Sequence, residues 1–302
     1  MKKGIHYWAL PKKMNLREKM RFAKQSGFDG IELVIVDKGE LRPDADEKEL
    51  KAIRSAAKEE QIEIIGLTNS LNWKSSITSE NKQVQEQAKN LLKRQMEIAS
   101  VLEVDAILAL PGFVTMNFIS DELHPSVSTH DAGYYHPGNE IVSYEEAYDR
   151  AVAAFKELAS IAEKMGITIC VENIWNQFLL SPIEMRDFID RIGSDFVQVY
   201  FDIGNVLPHG YPEQWIRILG NRIKRVHFKD FIRGYTSLKG FVNLLNGDVD
   251  FPEVMRALGD IGYNGWITAE VNEKPGFPEY TVKATAMAFE QIFNFHKERS
   301  LD

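Results

Sequence analysis

Cysteine is almost absent from these 302 residues, with Cys170 the sole copy. No disulfide can form within the chain, which points to a reducing compartment, and a cytoplasmic protein is expected. Cys170 lies in the apolar run ITICVEN and reads as an inert core residue. Long apolar runs are missing as well. Nowhere do about 18 apolar residues follow one another, as a membrane helix requires. The start, MKKGIHYWALPKK, has no apolar stretch of signal-peptide length before Pro11. Positive charge is in deficit, with 36 Lys and Arg against 44 Asp and Glu and a net charge of -8. That balance excludes broad, salt-dependent adhesion to nucleic acid or to an acidic membrane, so neither is expected as a partner.

What is present is an ordinary globular composition, 44% hydrophobic, with enough chain for one large core. Short apolar runs alternate with longer amphipathic stretches. Strands are predicted at 4–10, 30–35, 62–69, 106–112, 168–173, 197–205, 224–230 and 265–271. Helical spacing predicts helices at 15–26, 46–61, 80–102, 144–166, onward from Ser181, 212–220, 251–261 and 280–298. Ser143 with Glu146, and Ser181 with Glu184, mark two helix starts as capping pairs. Gly27, Gly166, Gly193, Gly220 and Gly262 mark helix ends. Consecutive strand–helix units imply a parallel sheet, and eight of them close into a (β/α)8 TIM barrel, one domain over residues 1–302. The rival is a doubly wound open sheet, which usually carries a glycine-rich phosphate turn after its first strand; HYWALPKK has none.

One connection is abnormally long. Residues 113–142, after strand 4, hold no sustained periodicity but are rich in aromatics, including Phe113, Phe118, Tyr134 and Tyr135. A loop of that size in a compact domain is usually functional, and we expect a lid or a subunit contact. His124, His130 and His136 within it match no zinc-ligand spacing and read as solvent or interface residues.

In such a barrel the active site forms at the C-terminal ends of the strands. VEN ends strand 5 with Glu172, VQVYFDIGN brings Asp202 to the end of strand 6, KRVHFKD places His227 on strand 7, and ITAEV places Glu270 on strand 8. Each is flanked by apolar residues, and a buried carboxylate must find a counter-charge, a metal or a proton. Taken singly, each fits a cap or a salt bridge to Lys224, Arg225 or Lys229. Together, on successive strands, three carboxylates would repel one another unless a cation joined them. Three carboxylates and one imidazole suit one divalent ion, Mn²⁺ first, with Mg²⁺, Co²⁺ or Zn²⁺ able to substitute. Around that centre, His6 with Tyr7 and Trp8, Glu32, Asn69, Trp73, Asn205 and His209 are candidate substrate contacts. Lys229 belongs to the same surroundings as partner to a carboxylate near the metal.

The ordered set VEN, YFDIGN, VHFKD and ITAEV, with GFDGIEL at 27–33 and GDVDFPEVMRALGDIGYNGWI at 247–267, resembles the sugar phosphate isomerase/epimerase superfamily with the xylose-isomerase-like barrel. Ketose 3-epimerases and hydroxypyruvate isomerases belong to it. The resemblance spans nearly the whole chain. It implies that Glu172, Asp202, His227 and Glu270 bind one Mn²⁺-like ion, and that Glu172 and Glu270 double as the proton-transfer pair. It also implies that Arg233 contacts substrate; Asp230, three residues before it, is expected to orient it. Asn205 stands where ketose 3-epimerases of free sugars often carry a substrate-binding histidine, and Phe178 where some carry another glutamate. The expected activity is isomerisation or epimerisation of a ketose or ketose phosphate through a cis-enediolate. A phosphate could meet Arg233 and Lys239 beside glycines 234, 240 and 247. The resemblance further implies a dimer or tetramer.

Two other activities share the scaffold. A sugar lyase or deglycosylase would couple the same proton removal to elimination. An abasic-site endonuclease would need many more histidine ligands than these strands supply, and the acidic charge opposes a DNA partner.

Overall fold

The computed structural model describes residues 1–115, 140–235 and 238–299. Strands β1 (Lys2–His6), β2 (Gly30–Ile35), β3 (Glu63–Asn69), β4 (Ala106–Ala109), β5 (Thr168–Glu172), β6 (Val197–Asp202), β7 (Ile223–Phe228) and β8 (Trp266–Ala269) close into a barrel in sequence order. Every neighbouring pair is parallel, including β1 with β8. The open-sheet alternative is therefore excluded. Helices α1 (Leu16–Gln25), α2 (Glu47–Glu59), α3 (Lys82–Leu102), α4 (Tyr144–Met165), α5 (Pro182–Ile192), α6 (Pro212–Leu219), α7 (Phe251–Asp260) and α8 (Pro278–Arg299) follow the strands in turn. Among the described residues no helix is long and apolar enough to cross a membrane.

The helices start where side chains satisfy their free N–H groups. Asn15 and Glu18 form a reciprocal capping box at α1, and Asp46 and Glu49 another at α2. Ser181 accepts the Glu184 N–H at α5, as its spacing predicts. Ser143 does not cap α4: its side chain makes no such bond. All five glycines predicted at helix ends adopt positive φ, between 57° and 95°, where a side chain would be strained.

Among the described residues, packing divides the apolar side chains into two bodies. The larger lies between strands and helices, and the smaller fills the barrel axis with Ala106, Leu108, Leu110, Phe113, Cys170 and Tyr200. At the lower end of the axis Arg225 is buried, donates to the Ile65 carbonyl at 3.2 Å and pairs with Asp105. Ile65 also explains two glycines, since a Cβ on Gly4 or Gly30 would approach its side chain within 2.2 or 2.3 Å. The axis is thus plugged from below, and any ligand must come from the C-terminal mouth.

Some element edges differ from expectation. β1 stops at His6 because the His6 imidazole caps a 3₁₀ turn at Tyr7–Ala9. β6 stops at Asp202, which caps a short helix at Ile203–Val206. A two-stranded ribbon, Asp230–Phe231 with Phe241–Val242, projects beyond β7. Of the long connection expected as a lid or subunit contact, residues 116–139 lie outside the described residues, and with them His124, His130 and His136.

Candidate metal centre

Parallel register brings the four strand-end residues to one height. Asp202 pairs with His227 across β6 and β7, while Thr268 of β8 pairs with His227 from the other side and puts Glu270 just beyond the strand. Glu172 is the last residue of β5. One ligand atom from each of Glu172, Asp202, His227 and Glu270 lies within 4.8 Å of all the others. Glu172, Asp202 and His227 are buried, and Glu270 is only slightly open.

His227 faces the carboxylates through Nδ1, which lies 2.9 Å from Glu270, 3.5 Å from Glu172 and 3.9 Å from Asp202. Asp202 divides its oxygens. Oδ1 accepts the Asn205 N–H at 2.9 Å as a helix cap, leaving Oδ2 turned to the cluster. Asn173 clasps the Asp202 backbone from both sides, accepting its N–H and donating to its carbonyl, each at 2.8 Å. Lys229 stands 3.0 Å from Asp202 Oδ2 and 2.9 Å from Glu270 Oε2.

Electrostatics shows what this cluster lacks. Burial pushes the Glu172 pKa up to about 7, although His227 and Lys229 oppose the rise. Burial raises the Asp202 pKa as well. Glu270 goes the other way, held well below the usual range by Lys229 and His227 despite its burial. His227 is likewise raised well above a free imidazole by Glu32 and Glu270, overriding its burial. One ammonium thus serves three carboxylates, and part of the balance has to come from protons. Asp202 Oδ2, His227 Nδ1 and Glu270 Oε2 are all buried without a hydrogen bond, though Lys229 is within ion-pair distance of the two oxygens. Orphaned atoms of this kind are costly, and a divalent cation would satisfy all three at once. The donor set fits such an ion.

A family model described as the xylose isomerase-like TIM barrel matches residues 20–291. The chain belongs to that family. An inosose dehydratase of Serratia proteamaculans is 26% identical over 162 residues, covering 46% of this xylose isomerase-like chain and only 54% of the dehydratase. A Haemophilus influenzae protein, provisionally named L-ribulose-5-phosphate 3-epimerase, is 23% identical over 283 residues, covering 90% of each chain. Among solved structures, an L-ribulose 3-epimerase superposes with TM-score 0.78 at 15% identity, over 99% of this chain and 96% of that one. A D-tagatose 3-epimerase-like protein gives 0.75 at 22% identity, over 99% and 100%. At such identities the superpositions establish the barrel and nothing finer.

The remaining candidates of this xylose isomerase-like barrel scatter. Trp73 is half-buried on top of the axial cluster, its ring 5.6 Å from Phe113, and so lines the mouth. His209 is exposed on the loop beyond Asp202. Arg233 donates to the carbonyls of Leu207 and Gly210 at 2.8 and 3.0 Å and lies over the Tyr211 ring. It clamps that loop, and its own N–H is fixed by Asp248. Asp230 does not orient it, because that carboxylate accepts the N–H groups of Phe231, Gly247 and Val249. Asn69 caps the turn that follows β3 through the Leu71 N–H. Lys224 and Arg225 pair with Asp105, away from the cluster. Phe178 is core, against Tyr144, Tyr148 and Phe188.

Three substrate candidates turn out to be scaffold. Asn205 is buried and donates to the Asn173 carbonyl at 3.0 Å, so it ties the backbone after β5 to the turn after β6. His6 is buried, with Nδ1 accepting the Trp8 N–H at 3.2 Å. Glu32 is fully buried, with Oε2 3.0 Å from His227 Nε2. Asn173 is the functional residue that sequence reasoning passed over. Its signal was its place directly after Glu172, where a side-chain amide can bridge to the next strand.

Proposed function

We propose that this protein is a divalent-metal-dependent sugar isomerase or epimerase acting on a ketose or ketose phosphate. The observation behind this reading is the convergence of Glu172, Asp202, His227 and Glu270 within 4.8 Å at the barrel mouth. These four would hold the ion, with Mn²⁺ favoured by three hard oxygen donors and one imidazole. When bound, it supplies a Lewis acid that polarises a substrate carbonyl and offsets developing negative charge.

Glu172 and Glu270 are the proton-transfer pair. One carboxylate takes the proton from the carbon beside the carbonyl, and the electron pair left behind forms a cis-enediolate. If the other carboxylate returns a proton to the opposite face of that carbon, the product is the epimer. If instead the proton leaves the terminal carbon and is delivered to the former carbonyl carbon, ketose becomes aldose. Trp73 offers a flat apolar face to the sugar's carbons. Arg233 has used two of its nitrogens on loop carbonyls and keeps further N–H donors for a hydroxyl or phosphate oxygen.

The likeness to inosose dehydratase favours a second reading, in which the same proton removal is followed by loss of a hydroxyl as water. Incubating ketoses and ketose phosphates with protein and Mn²⁺ in D₂O, and reading products by NMR, separates the two. Deuterium beside the carbonyl of an isomer supports the first reading, and a product lighter by one water supports the second. If no sugar exchanges any proton, both fail. Glu270→Gln should lower turnover per bound Mn²⁺ by at least about 10²-fold, beyond any loss of the metal that Glu270 helps to hold, as loss of a general base does. A variant that keeps both activity and metal would sink the two-glutamate scheme.

A further inference from the structure

Glu32 is a fully enclosed charge, with 0% exposure in the middle of the barrel. A carboxylate at that depth would be costly without partners, and it has four. Oε1 accepts the Thr68 hydroxyl at 2.6 Å and lies 3.6 Å from His6 Nε2. Oε2 accepts the Tyr200 hydroxyl and sits 3.0 Å from His227 Nε2. These partners come from β1, β3, β6 and β7, so the contact ties strands across the whole barrel. Room for the side chain is provided by Gly66, whose added Cβ would stand 3.3 Å from Glu32 Cγ and 3.4 Å from the Tyr200 oxygen.

The consequence falls on His227. An ionised carboxylate can only accept, so Nε2 must carry the proton that it donates to Glu32. When the ring gives up its second proton, as metal binding requires, the one lost is therefore on Nδ1, the nitrogen facing Glu172, Asp202 and Glu270, and its lone pair becomes available there. Tyr200 supports the same geometry, since its ring lies 4.3 Å from the imidazole and its hydroxyl fixes the same oxygen. We propose that Glu32 is the positioning residue of the metal centre: through Nε2 it sets the tautomer and ring orientation that make His227 an Nδ1 ligand, and it raises the basicity of that ligand. This rests on the reading that the four-residue cluster holds a divalent ion. Glu32 touches neither substrate nor metal and acts only through the imidazole.

The test is Mn²⁺ binding to metal-stripped protein, followed by calorimetry, with thermal midpoints recorded to show that each variant is folded. Losing the partner of a ligating histidine typically weakens metal binding 10–100-fold, and Glu32→Gln should fall in that range. Tyr200→Phe keeps the charge but removes the hydroxyl that pins it, and a loss of a few-fold is expected. Wild-type affinity in whichever of the two variants folds overturns the proposal. In ¹⁵N-histidine spectra of Zn²⁺-loaded protein, His227 should carry its proton on Nε2, and a proton on Nδ1 overturns the proposal as well. If the wild-type protein itself binds no divalent ion, the metal reading fails and not this assignment alone.

Discussion

Lys229 sets the charge balance of the centre. Its ammonium lies within 3.0 Å of both Asp202 and Glu270, with the side chain 18% exposed. Replacing it by methionine keeps most of the volume and leaves two buried carboxylates facing each other. The metal-free variant should lose up to about 3 kcal/mol, somewhat less than for a fully enclosed pair, and Mn²⁺ should restore more stability than in the wild type. Thermal melts with and without Mn²⁺ check this, and an unchanged metal-free midpoint would show that the lysine balances nothing. The four clustered residues were legible in sequence because each polar residue interrupts an apolar strand at the same end. Depth was not legible. The sequence placed Glu32 and His6 around the centre as candidate substrate contacts but could not give their height, because height along a barrel axis depends on register between strands. A register shift at Ile31/Glu32 pairs Glu32 with Gly66, a fact of the partner strand and not of GFDGIEL.

At the scale of elements, alternation of period-2 and period-3.6 segments sufficed to place every barrel strand and helix, with edges displaced by a few residues. Edges moved where a polar side chain captured a backbone N–H: His6 ended β1 and Asp202 ended β6. The ribbon formed by Asp230–Phe231 and Phe241–Val242 escaped notice because two-residue strands have no period to read. Caps show the same limit. Ser143 and Ser181 carry the same spacing to a glutamate, yet only Ser181 bonds to the helix N-terminus, where Glu184 also accepts the Leu180 N–H at 2.8 Å. Ser181→Ala should therefore cost about 1 kcal/mol and Ser143→Ala a few tenths at most. Urea denaturation of the two single variants measures the difference, and equal losses would mean that Ser143 caps α4 in solution.

For the whole molecule, the barrel separates its buried charges along one axis, with Arg225, paired to the exposed Asp105, at the closed end and the carboxylate cluster at the open end. Only the open end is left with an excess of negative groups, and that ties global stability to pH. In the metal-free fold Glu172 keeps its proton up to about pH 7, against an ordinary glutamate value of 4.5. Between these limits the folded state binds a proton that the unfolded chain has released, so stability falls as pH rises, by about 3 kcal/mol at most. His227 acts in the same sense: its raised pKa stabilises the fold below the unfolded value of 6.5, and that contribution is lost as the imidazole deprotonates. A divalent ion requires both groups deprotonated, and its binding must release their protons. The stabilisation by Mn²⁺ should therefore be small near pH 5 and grow steadily toward pH 8. Thermal midpoints with and without saturating Mn²⁺ across that range give the gap directly. A gap that stays constant, or narrows as the solution becomes alkaline, would mean that Glu172 and His227 are not where the ion binds.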